Sequence, residues 1–526
     1  MVDRKIGRAL IALVAMIGLL ATACSSDDEP AESTSSTSGS EASAEVNRDG
    51  TLKWGYDLVQ NGQFSWEPGA TPAINSLESA YYLVYGRLMR KTADGTIVPD
   101  LAEAVTVVDA NTIEIKVRPD QTWHDGAPFD AQSVKAGLDH NLAKEESSSG
   151  FGAPFFAVNS VDVVDALTVR LGFDDGTAPG WYGSYAAGAQ TTITRPGTYG
   201  GNPIGAGPMK VTAYTPEQTM VMERFDDFWN AEEVGFAGIE TVPANAASPQ
   251  SAMAALQSGQ ADVVTVDTTQ LSSMTGPLEA ITVSDPSRLM RLSFCRRDEP
   301  LSDPRVRLAI NKAIDRDAIN DAVFEGTAEP AVQMWPEGHQ FFNTDVADVL
   351  AYDPEGARQV LADAGLSNVT FDLILLNSLS IPEVATVIEQ QLADVGITAN
   401  LTITPDLVGQ FLVPQAPGAT IFPSTPNPGL AKLRTFSGTA QSNLCSYENE
   451  EVNALAAQLG TLSPDSAEAK DLWWQLADIY TEEALDAPLV FASIVGGYDT
   501  DRLVLGETYP DGLWVLPDIY TSHMTG

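Results

Sequence analysis

Apolar and polar side chains repeat with two different periods along most of this chain. Residues 112–117 alternate polar and apolar side chains, a period of two that predicts a half-buried strand. Leu77, Tyr81 and Tyr85 recur at the spacing of one helical face, after a capping-box-like start at Asn75. Elements of both kinds continue in alternation, so the sequence predicts an α/β fold.

A short pattern occurs twice and predicts two similar β-hairpins. Residues 105–113 read VTVVDANTI, and residues 161–169 read VDVVDALTV. Between them, Asp130 is a suitable N-cap for a helix whose apolar face begins with Val134. We therefore interpret residues 92 to about 200 as a small α+β subdomain.

Later segments predict helices and a crossover. Asp303-Pro304 and Asp353-Pro354 each predict a helix start, because Asp caps a helix N-terminus and Pro fits the first turn. Apolar positions then predict a strand at 371–376, a helix at 382–395 and a second strand at 397–404. Short connections join these three elements, so we expect a right-handed crossover in a parallel or mixed sheet.

The N-terminus combines a basic head, an apolar run at residues 9–23 and Cys24. The run is too short to cross a bilayer, for which a helix needs about 20 residues, so it predicts a secretion signal. The small residues before Cys24 resemble a lipobox, which implies a lipoprotein signal peptide at 1–23 and lipidation of Cys24. An ordinary cleaved signal is the alternative. Residues 24–50 are rich in Ser, Thr, Glu and Ala, and we expect a flexible tether there.

The composition is typical of a large globular protein with an acidic surface. The 526 residues suggest roughly three structural units, and 44% apolar residues are enough to bury a sizeable core. With 29 Lys and Arg against 71 Asp and Glu, the net charge is −42. This charge repels phosphate backbones, so we expect no nucleic-acid partner.

Sequence motifs of common hydrolases and nucleotide enzymes are absent. The four histidines include no pair at the spacing of a zinc-protease helix, and neither a G-x-S-x-G elbow nor a phosphate-binding P-loop occurs. We therefore expect no catalytic residues, no metal and no cofactor. A secreted hydrolase with two catalytic carboxylates is one alternative, since many acidic residues offer numerous pairs. A surface adhesin or chaperone without a small ligand is another.

Cys295 and Cys445 are the two cysteines that follow the signal. Secretion would bring them into an oxidising compartment, where disulfides persist. We expect a disulfide between them. Two separate buried thiols are the alternative, because the sequence does not establish that the two residues lie close together.

Six segments, in the same order and at similar spacing, resemble the family-5 extracellular solute-binding proteins of ABC importers, which include dipeptide, oligopeptide and nickel binders. The segments are 95–103 (GTIVPDLAE), 123–134 (WHDGAPFDAQSV), 202–208 (NPIGAGP), 255–262 (ALQSGQAD), 303–316 (DPRVRLAINKAIDR) and 352–358 (YDPEGAR). The match covers about residues 50–500. Within the second segment, we interpret His124 as part of a turn that leads to the Asp130 cap, which is a structural role.

The resemblance implies a two-lobed periplasmic-binding-protein type II fold of the α/β class, with the small α+β subdomain as an addition. Lobe I would comprise residues 51–290 and 490–526, and lobe II residues 291–489. The implied function is that of a non-enzymatic, lipid-anchored receptor outside the cytoplasmic membrane. Such a receptor captures a peptide-like or other polar organic solute between its lobes and delivers it to the permease and ATPase complex of an ABC importer. We expect a monomer.

The resemblance also implies a ligand cleft between the lobes. Its candidate ligand-binding residues lie in the first strand, the loop after it and a loop of lobe II: Trp54, Tyr56, Trp66, Phe422, Ser424, Thr425 and Asn427. Core packing is the alternative for each aromatic residue. Arg296 and Arg297 are further candidates for contact with a ligand anion.

The lobe II loop also bears on the class of ligand. In peptide-binding members this loop carries an Asp that pairs with the ligand's amino terminus, whereas this chain has Ser424 or Thr425 there. A buried ammonium without a carboxylate partner is costly. We therefore expect a ligand without an obligatory free amino terminus, such as a blocked or modified peptide, an oligosaccharide or another polar organic molecule.

Overall fold

The structure is a computed structural model. It describes residues 47–56, 65–67, 74–92, 96–143, 158–188, 191–199, 203–216, 218–244, 249–283, 288–377, 380–412, 414–424, 444–445, 447–508 and 515–526. The predicted signal peptide at 1–23, Cys24 and most of the predicted tether lie outside the described residues. Thr425 and Asn427 lie outside them as well.

The strands of the described residues, in chain order, are β1 (Thr51–Gly55), β2 (Met89–Lys91), β3 (Ile97–Pro99), β4 (Ala102–Asp109), β5 (Thr112–Val117), β6 (Val158–Asp165), β7 (Thr168–Phe173), β8 (Met209–Thr215), β9 (Thr219–Arg224), β10 (Gly238–Val242), β11 (Val263–Val266), β12 (Leu278–Thr282), β13 (Arg288–Phe294), β14 (Glu329–Pro330), β15 (Val369–Leu376), β16 (Ile397–Thr404), β17 (Ala419–Ser424), β18 (Asp486–Ala492), β19 (Val495–Asp499), β20 (Leu503–Val504) and β21 (His523–Met524).

The α-helices of the described residues are α1 (Ile74–Tyr85), α2 (Ala131–Leu142), α3 (Ala178–Tyr185), α4 (Pro249–Gln257), α5 (Pro304–Ala313), α6 (Arg316–Phe324), α7 (Pro354–Asp363), α8 (Ile381–Asp394), α9 (Glu450–Leu459) and α10 (Ala467–Glu482). The described part of the chain has no helix that is both long enough and apolar enough to cross a membrane.

Seven strands form a mixed sheet in the order β12-β19-β11-β1-β10-β9-β8. At its centre β1 is parallel to both β10 and β11. Near the chain end, β19 inserts antiparallel between β11 and β12. This sheet therefore combines strands from residues 51–282 with one strand from near the end of the chain.

Six strands form a second sheet in the order β14-β18-β13-β17-β15-β16. Here β15 and β16 are parallel over their whole length, from the pair Val369 and Ile397 to the pair Leu376 and Thr404. The helix between them, α8, packs its apolar face, which includes Val384 and Ile388, into the core of this sheet. The strand–helix–strand unit predicted from the sequence is confirmed.

The chain passes between the two sheets more than once. It leaves the seven-stranded sheet after β12 and enters the six-stranded sheet at Arg288, the first residue of β13. It returns after Ala492, the last residue of β18, and β19 begins at Val495. Only Ser493 and Ile494 connect β18 to β19, so the two sheets are joined by a short crossing segment at this point.

The two repeats form a separate antiparallel sheet, in the order β4-β5-β7-β6. Each repeat is a hairpin, and β5 pairs with β7 to join them. Between the hairpins α2 begins after Asp130, whose Oδ1 accepts a hydrogen bond of 3.0 Å from Ser133 N. The hairpins and the Asp130 cap are as the sequence predicted.

His124 links the four-stranded part to the loop that precedes β8. Its ring is buried, its Nε2 donates to Gly207 O at 3.0 Å, and its Nδ1 accepts from Gly205 N at 3.2 Å. A side chain at Gly205 would overlap the carbonyl oxygen of Val84 at the end of α1. The family-like segments 123–134 and 202–208 are therefore in contact with each other. Burial of the imidazole lowers the pKa of His124 to about 4.

Two of the charged positions of segment 303–316 are buried arginines, Arg307 and Arg316. The guanidinium of Arg316 donates to the carbonyl oxygens of Pro488 at 2.7 Å and Leu350 at 3.0 Å. Arg307 donates to the carbonyl oxygens of Ala484 and Leu301. Burial lowers the pKa of both guanidinium groups to about 10. Because backbone carbonyls satisfy their donors, these two arginines fix α5 and α6 against β18 and its neighbours.

Candidate functional site

A cavity of about 60 Å³ lies between the seven-stranded and six-stranded sheets. It forms beside the crossing segment between β18 and β19, so its walls come from both sheets. The described residues that line it are Thr265, Val266, Asp267, Thr268, Arg288, Met290, Phe324, Ser380, Pro423, Ala492, Ser493, Ile494 and Val495. A cleft between two sheets that share crossing segments is a common place for a ligand site.

Asp267 is the carboxylate among the described residues of this cavity wall. It follows the buried strand β11 and precedes a 3₁₀ turn at Thr268–Ser273, where Asp is a favoured N-cap. Its Oδ1 accepts hydrogen bonds of 3.1 Å from both Thr269 N and Thr269 Oγ1. Local capping therefore fixes the orientation of this carboxylate.

The second oxygen of Asp267 joins the two sides of the cavity. Its Oδ2 accepts a hydrogen bond from the hydroxyl of Ser380, which precedes α8 in the six-stranded part. Ser380 has a left-handed φ of 58° and makes no side-chain cap to its own helix. The carboxylate thus lies close to the N-terminus of α8, where the helix dipole favours negative charge.

Arg288 is the cation among the described residues of the cavity wall. It opens β13, pairs in register with Ala492 of β18 and is only 7% exposed. The other residues of β13 are buried as well. Its guanidinium group therefore lies at the point where the chain enters the six-stranded sheet.

Three of the predicted ligand-binding aromatics lie in the core of the seven-stranded sheet. Trp54 and Tyr56 are fully buried with ring centroids 4.2 Å apart, and Trp54 Nε1 donates to Val515 O at 3.0 Å. Trp66 packs edge-on against Tyr85 and is 2% exposed. None of the three is among the described residues that line the cavity. This placement is the core packing given above as the alternative, and ligand contact by these rings stays a prediction.

The predicted residues of the six-stranded part lie on or beyond β17. Phe422 is half-buried and packs with Leu407 and Phe411. Its neighbour Pro423 lines the cavity. Ser424 is the last residue of β17, directly paired with Leu289 of β13. Of this part of the chain, Pro423 is therefore the described residue that contributes to the cavity wall.

Cys295 and Cys445 are joined in the structure, with their Cα atoms 5.1 Å apart. The backbone N–H of Cys445 donates to the side-chain carbonyl of Gln415. Cys295 N donates to Gly418 O at 2.8 Å. The bond therefore connects the end of β13 to the segment before α9, at the far end of β13 from Arg288.

Arg296 and Arg297 are not among the described residues that line the cavity, and their contact with a ligand anion stays a prediction. Arg296 is buried, donates to Leu485 O at 2.8 Å and lies near Asp486. Burial lowers the pKa of the Arg296 guanidinium. Arg297 is exposed and pairs with Asp298 at 2.7 Å. Both side chains lie past the end of β13, whereas the cavity is at its start.

Sequence reasoning missed Asp267, Ser380 and Arg288. Asp267 had one local signal, since an Asp that follows an apolar strand and precedes two threonines is a typical N-cap. Arg288 opens an otherwise largely apolar strand, which is unusual for a buried segment. Only the long-range pairing of the strands brings these residues to one cavity.

A model of the bacterial extracellular solute-binding proteins, family 5 (Middle), matches residues 96–416. Among curated proteins, the glutathione-binding protein GsiB of Salmonella paratyphi A is 26% identical over 449 residues, which cover 80% of this chain and 83% of that protein.

Solved structures share the fold. The PBP AgaA from A. tumefaciens R10, in complex with agropinic acid, has a TM-score of 0.77 and 21% identity, covering 88% of this chain and 96% of that chain. The periplasmic binding protein DppA from Helicobacter pylori, in complex with peptide STSA, has a TM-score of 0.77 and 17% identity, covering 91% and 99%.

Proposed function

Because the chain belongs to the bacterial extracellular solute-binding proteins of family 5, we propose that it captures a peptide-like or other polar organic solute and delivers it to an ABC importer. The fold is the two-lobed type II fold of periplasmic binding proteins. The observation that carries the proposal is the cavity between the two sheets, with walls from both and a crossing segment at its edge.

We assign the two sheets to the two lobes. Lobe I comprises residues 51–290 and 490–526, with the subdomain at about 92–200, and lobe II comprises residues 291–489. The change of sheet at Arg288 and after Ala492 supports these boundaries to within a few residues. Both places are suited to a hinge, because few residues there connect two separately packed cores.

Capture of a solute follows from this arrangement. In an open state the cavity wall is divided between the lobes and accessible to solvent. A solute that contacts both walls favours the closed state by its differential affinity. Closure also forms the bond between Ser380 and Asp267, which is present in the structure.

The chemistry of the cavity favours a polar solute. Several lining side chains are hydroxyls, including Thr265, Thr268 and Ser493. The one carboxylate of the described wall, Asp267, already accepts bonds through both oxygens. Together with Ser424 or Thr425 in the lobe II loop, this supports a solute that needs no carboxylate partner for a free amino terminus. Trp54, Tyr56, Trp66, Phe422 and Asn427 remain proposed contacts.

Binding without chemistry is the proposed role. A glycoside hydrolase requires two carboxyl groups about 5–10 Å apart at the scissile bond. Among the described lining residues there is one carboxylate, and the same residues include no histidine or cysteine. The relatives named above are binding proteins.

We also propose that a diacylated Cys24 holds the receptor at the outer face of the cytoplasmic membrane, as a monomer. The tether would keep the binding lobes at high effective concentration near the permease and ATPase complex.

Native mass spectrometry of freshly purified protein tests the capture of a solute. We expect a bound small molecule that is lost on mild denaturation. Calorimetric titration with a library of dipeptides to pentapeptides, and with the same library acetylated at the amino terminus, tests the ligand class. We expect acetylation to leave binding unchanged, or neither library to bind. Tight binding of the free peptides that acetylation abolishes would contradict the proposed class.

A further inference from the structure

We propose that Ser380 exchanges hydrogen-bond partners as the lobes move, and that its second partner, the backbone N–H of Glu383, holds the solute-free protein open. The inference rests on the proposed capture of a solute between the lobes. It deepens that function by naming what opposes closure, whereas the bond from Ser380 to Asp267 favours closure.

The sequence at the start of α8 is a complete capping box. Residues 380–383 read SIPE, which matches the pattern of Ser or Thr followed three residues later by Glu or Gln. In a capping box the N-cap hydroxyl accepts a hydrogen bond from the backbone N–H of the third helical residue, and the side chain of that residue accepts one from the N-cap N–H. Pro382 has no N–H, so Glu383 supplies the donor for such a cap. The local sequence therefore favours an extended Ser380 that caps its own helix.

In the structure Ser380 adopts a different conformation. Its backbone has φ 58° and ψ 8°, in the left-handed region, and its side chain makes no cap to α8. Ser466, the N-cap of α10, has the usual arrangement: its φ is −75° and its ψ is 149°, and its hydroxyl accepts a hydrogen bond of 3.2 Å from Ala469 N. A left-handed backbone is unfavourable for a residue with a Cβ atom. Ser380 thus lacks a favourable cap and has an unfavourable backbone conformation.

The contact with Asp267 compensates for both losses. The Ser380 hydroxyl donates to Asp267 Oδ2, and a hydrogen bond to a carboxylate is stronger than one between neutral groups. Asp267 is fixed by its own cap, because its Oδ1 accepts bonds of 3.1 Å from Thr269 N and Thr269 Oγ1. Both Ser380 and Asp267 line the cavity, and they belong to different proposed lobes. When the lobes separate, the carboxylate moves away from Ser380, and the capping box of α8 becomes the more stable arrangement.

This exchange gives each state of the receptor its own hydrogen bond. The open state has the capping box and an extended Ser380, and the closed state has the bond to Asp267 and a left-handed Ser380. Closure therefore replaces one favourable contact with another and also strains the backbone. The solute has to supply the difference, since a ligand shifts such an equilibrium only by its differential affinity for the two states. The cap of α8 thereby keeps the lobes from closing on an empty cavity.

Two variants of Glu383 separate the capping box from other effects of this residue. Glu383 is exposed and is not among the described residues that line the cavity. Glu383→Ala removes the side-chain acceptor of the box. Glu383→Gln keeps that acceptor and removes the charge, so it controls for electrostatic repulsion between Glu383 and Asp267. Glu389→Ala, at an exposed residue of the same helix outside the box, is the matched control for charge.

Calorimetry on the full-length mature protein measures the effect on solute affinity. The probes are glutathione and the free and acetylated peptide libraries described above. We expect a probe that binds wild type to bind Glu383→Ala about twofold to tenfold more tightly, because the variant destabilises only the open state. Glu383→Gln and Glu389→Ala should bind as wild type does. A residue that only stabilised α8 would not give a gain of affinity when its exposed side chain is removed.

Hydrogen exchange of the solute-free protein tests the cap directly and needs no probe. The first backbone N–H groups of a helix have no intrahelical acceptor, so protection of the Glu383 amide reports the cap from Ser380. We expect this amide to exchange at least about twofold faster in Ser380→Ala than in wild type. Thr386→Ala should match wild type. Mass spectrometry with fragmentation of a peptide that spans residues 380–388 resolves the Glu383 amide.

Unchanged affinity of a folded Glu383→Ala, an equal gain in Glu383→Gln, or equal exchange of the Glu383 amide in wild type and Ser380→Ala would overturn the inference and leave solute capture intact. If no probe binds, the exchange measurement alone decides the inference. If in addition no solute co-purifies, the proposed function itself fails, and the inference fails with it, because an empty receptor has no closure for the cap to oppose.

Discussion

The hydroxyl of Ser380 donates a hydrogen bond to the carboxylate of Asp267 across the cavity. Ser380 is also the N-cap residue of α8. An N-cap Ser ordinarily accepts a bond from its own helix. Here the helix has no side-chain cap from Ser380, and its N-terminus instead lies beside a carboxylate that follows β11 of the seven-stranded sheet. The N-terminus of α8, where the helix dipole is positive, therefore lies beside the charge of Asp267.

Removal of this contact should favour the open state. For Ser380→Ala we expect solute affinity to fall by about tenfold, because a hydrogen bond to a charged acceptor is worth roughly 1.5–3 kcal/mol and water replaces part of it. Asp267→Asn should have a similar effect and keep the local cap, since Asn is also a good N-cap. Small-angle scattering without solute, together with calorimetry, measures both changes.

Thr386→Ala is the matched control. Thr386 lies on the exposed side of α8, and its hydroxyl donates to Pro382 O at 2.8 Å within the same helix. The Thr386→Ala variant should leave the solute affinity and the small-angle scattering profile unchanged. If Ser380→Ala behaves like this control, the bond contributes nothing to closure.

Local signals predicted much of the fold. Asp130, Asp303 and Asp353 each accept a backbone N–H two or three residues ahead, as the capping rules require. The unit from β15 through α8 to β16 was predictable for the same reason, because its periodicity and short connections lie within one segment. These features depend on neighbouring residues, which a sequence displays directly.

The candidate site depends on distant residues. Ser380 and Asp267 are 113 positions apart in the sequence, and Arg288 reaches the same cavity through the pairing of β13 with β18. No periodic pattern in the sequence predicts that these distant residues lie close together. The sequence shows that Trp54 lies in the predicted first strand, but it does not show whether the ring packs in the core or faces the cleft. In the structure the side chain of Trp54 is fully buried.

The Cys295–Cys445 bond should be present in the secreted protein and should stabilise lobe II. It closes a loop with a sequence separation of 150. In the loop-entropy account, its loss should lower the free energy of unfolding by about 2–5 kcal/mol. Thiol counting in denaturant without reductant, and urea unfolding of Cys295→Ser/Cys445→Ser, measure these effects. Two free thiols other than Cys24 in the native protein would contradict the prediction.

Cys24 should be the diacylated amino terminus of the mature protein. We expect Cys24→Ser to release the protein into the medium, because the apolar run alone is too short to anchor it. Ser25→Ala is the control and should remain with the membrane. Mass spectrometry of the N-terminal peptide identifies the acyl groups. A membrane-bound Cys24→Ser protein, with no lipid mass on the native peptide, would show that the lipoprotein interpretation is wrong.

His124 should make stability depend on pH below neutrality. Burial lowers the pKa of His124 to about 4, against an unfolded value of about 6.5. Folding therefore favours the neutral ring, whose Nε2 donates to Gly207 O and whose Nδ1 accepts from Gly205 N. This contribution is fully present above pH 6.5 and is lost as the pH falls from about 6.5 to about 4, amounting to about 3 kcal/mol.

Urea unfolding at several pH values compares wild type with His124→Gln, which lacks the titrating group. We expect the variant to be less stable at pH 7 because one of the two ring contacts is lost. Between pH 7 and pH 4 its free energy of unfolding should fall by about 3 kcal/mol less than that of wild type. Thr386→Ala, on the exposed side of α8 and without a titrating group, is the control and should keep the wild-type slope. Parallel pH profiles for wild type and His124→Gln would mean that the imidazole titrates at its ordinary pKa in the folded protein, and that its contacts with the loop before β8 do not require the neutral ring.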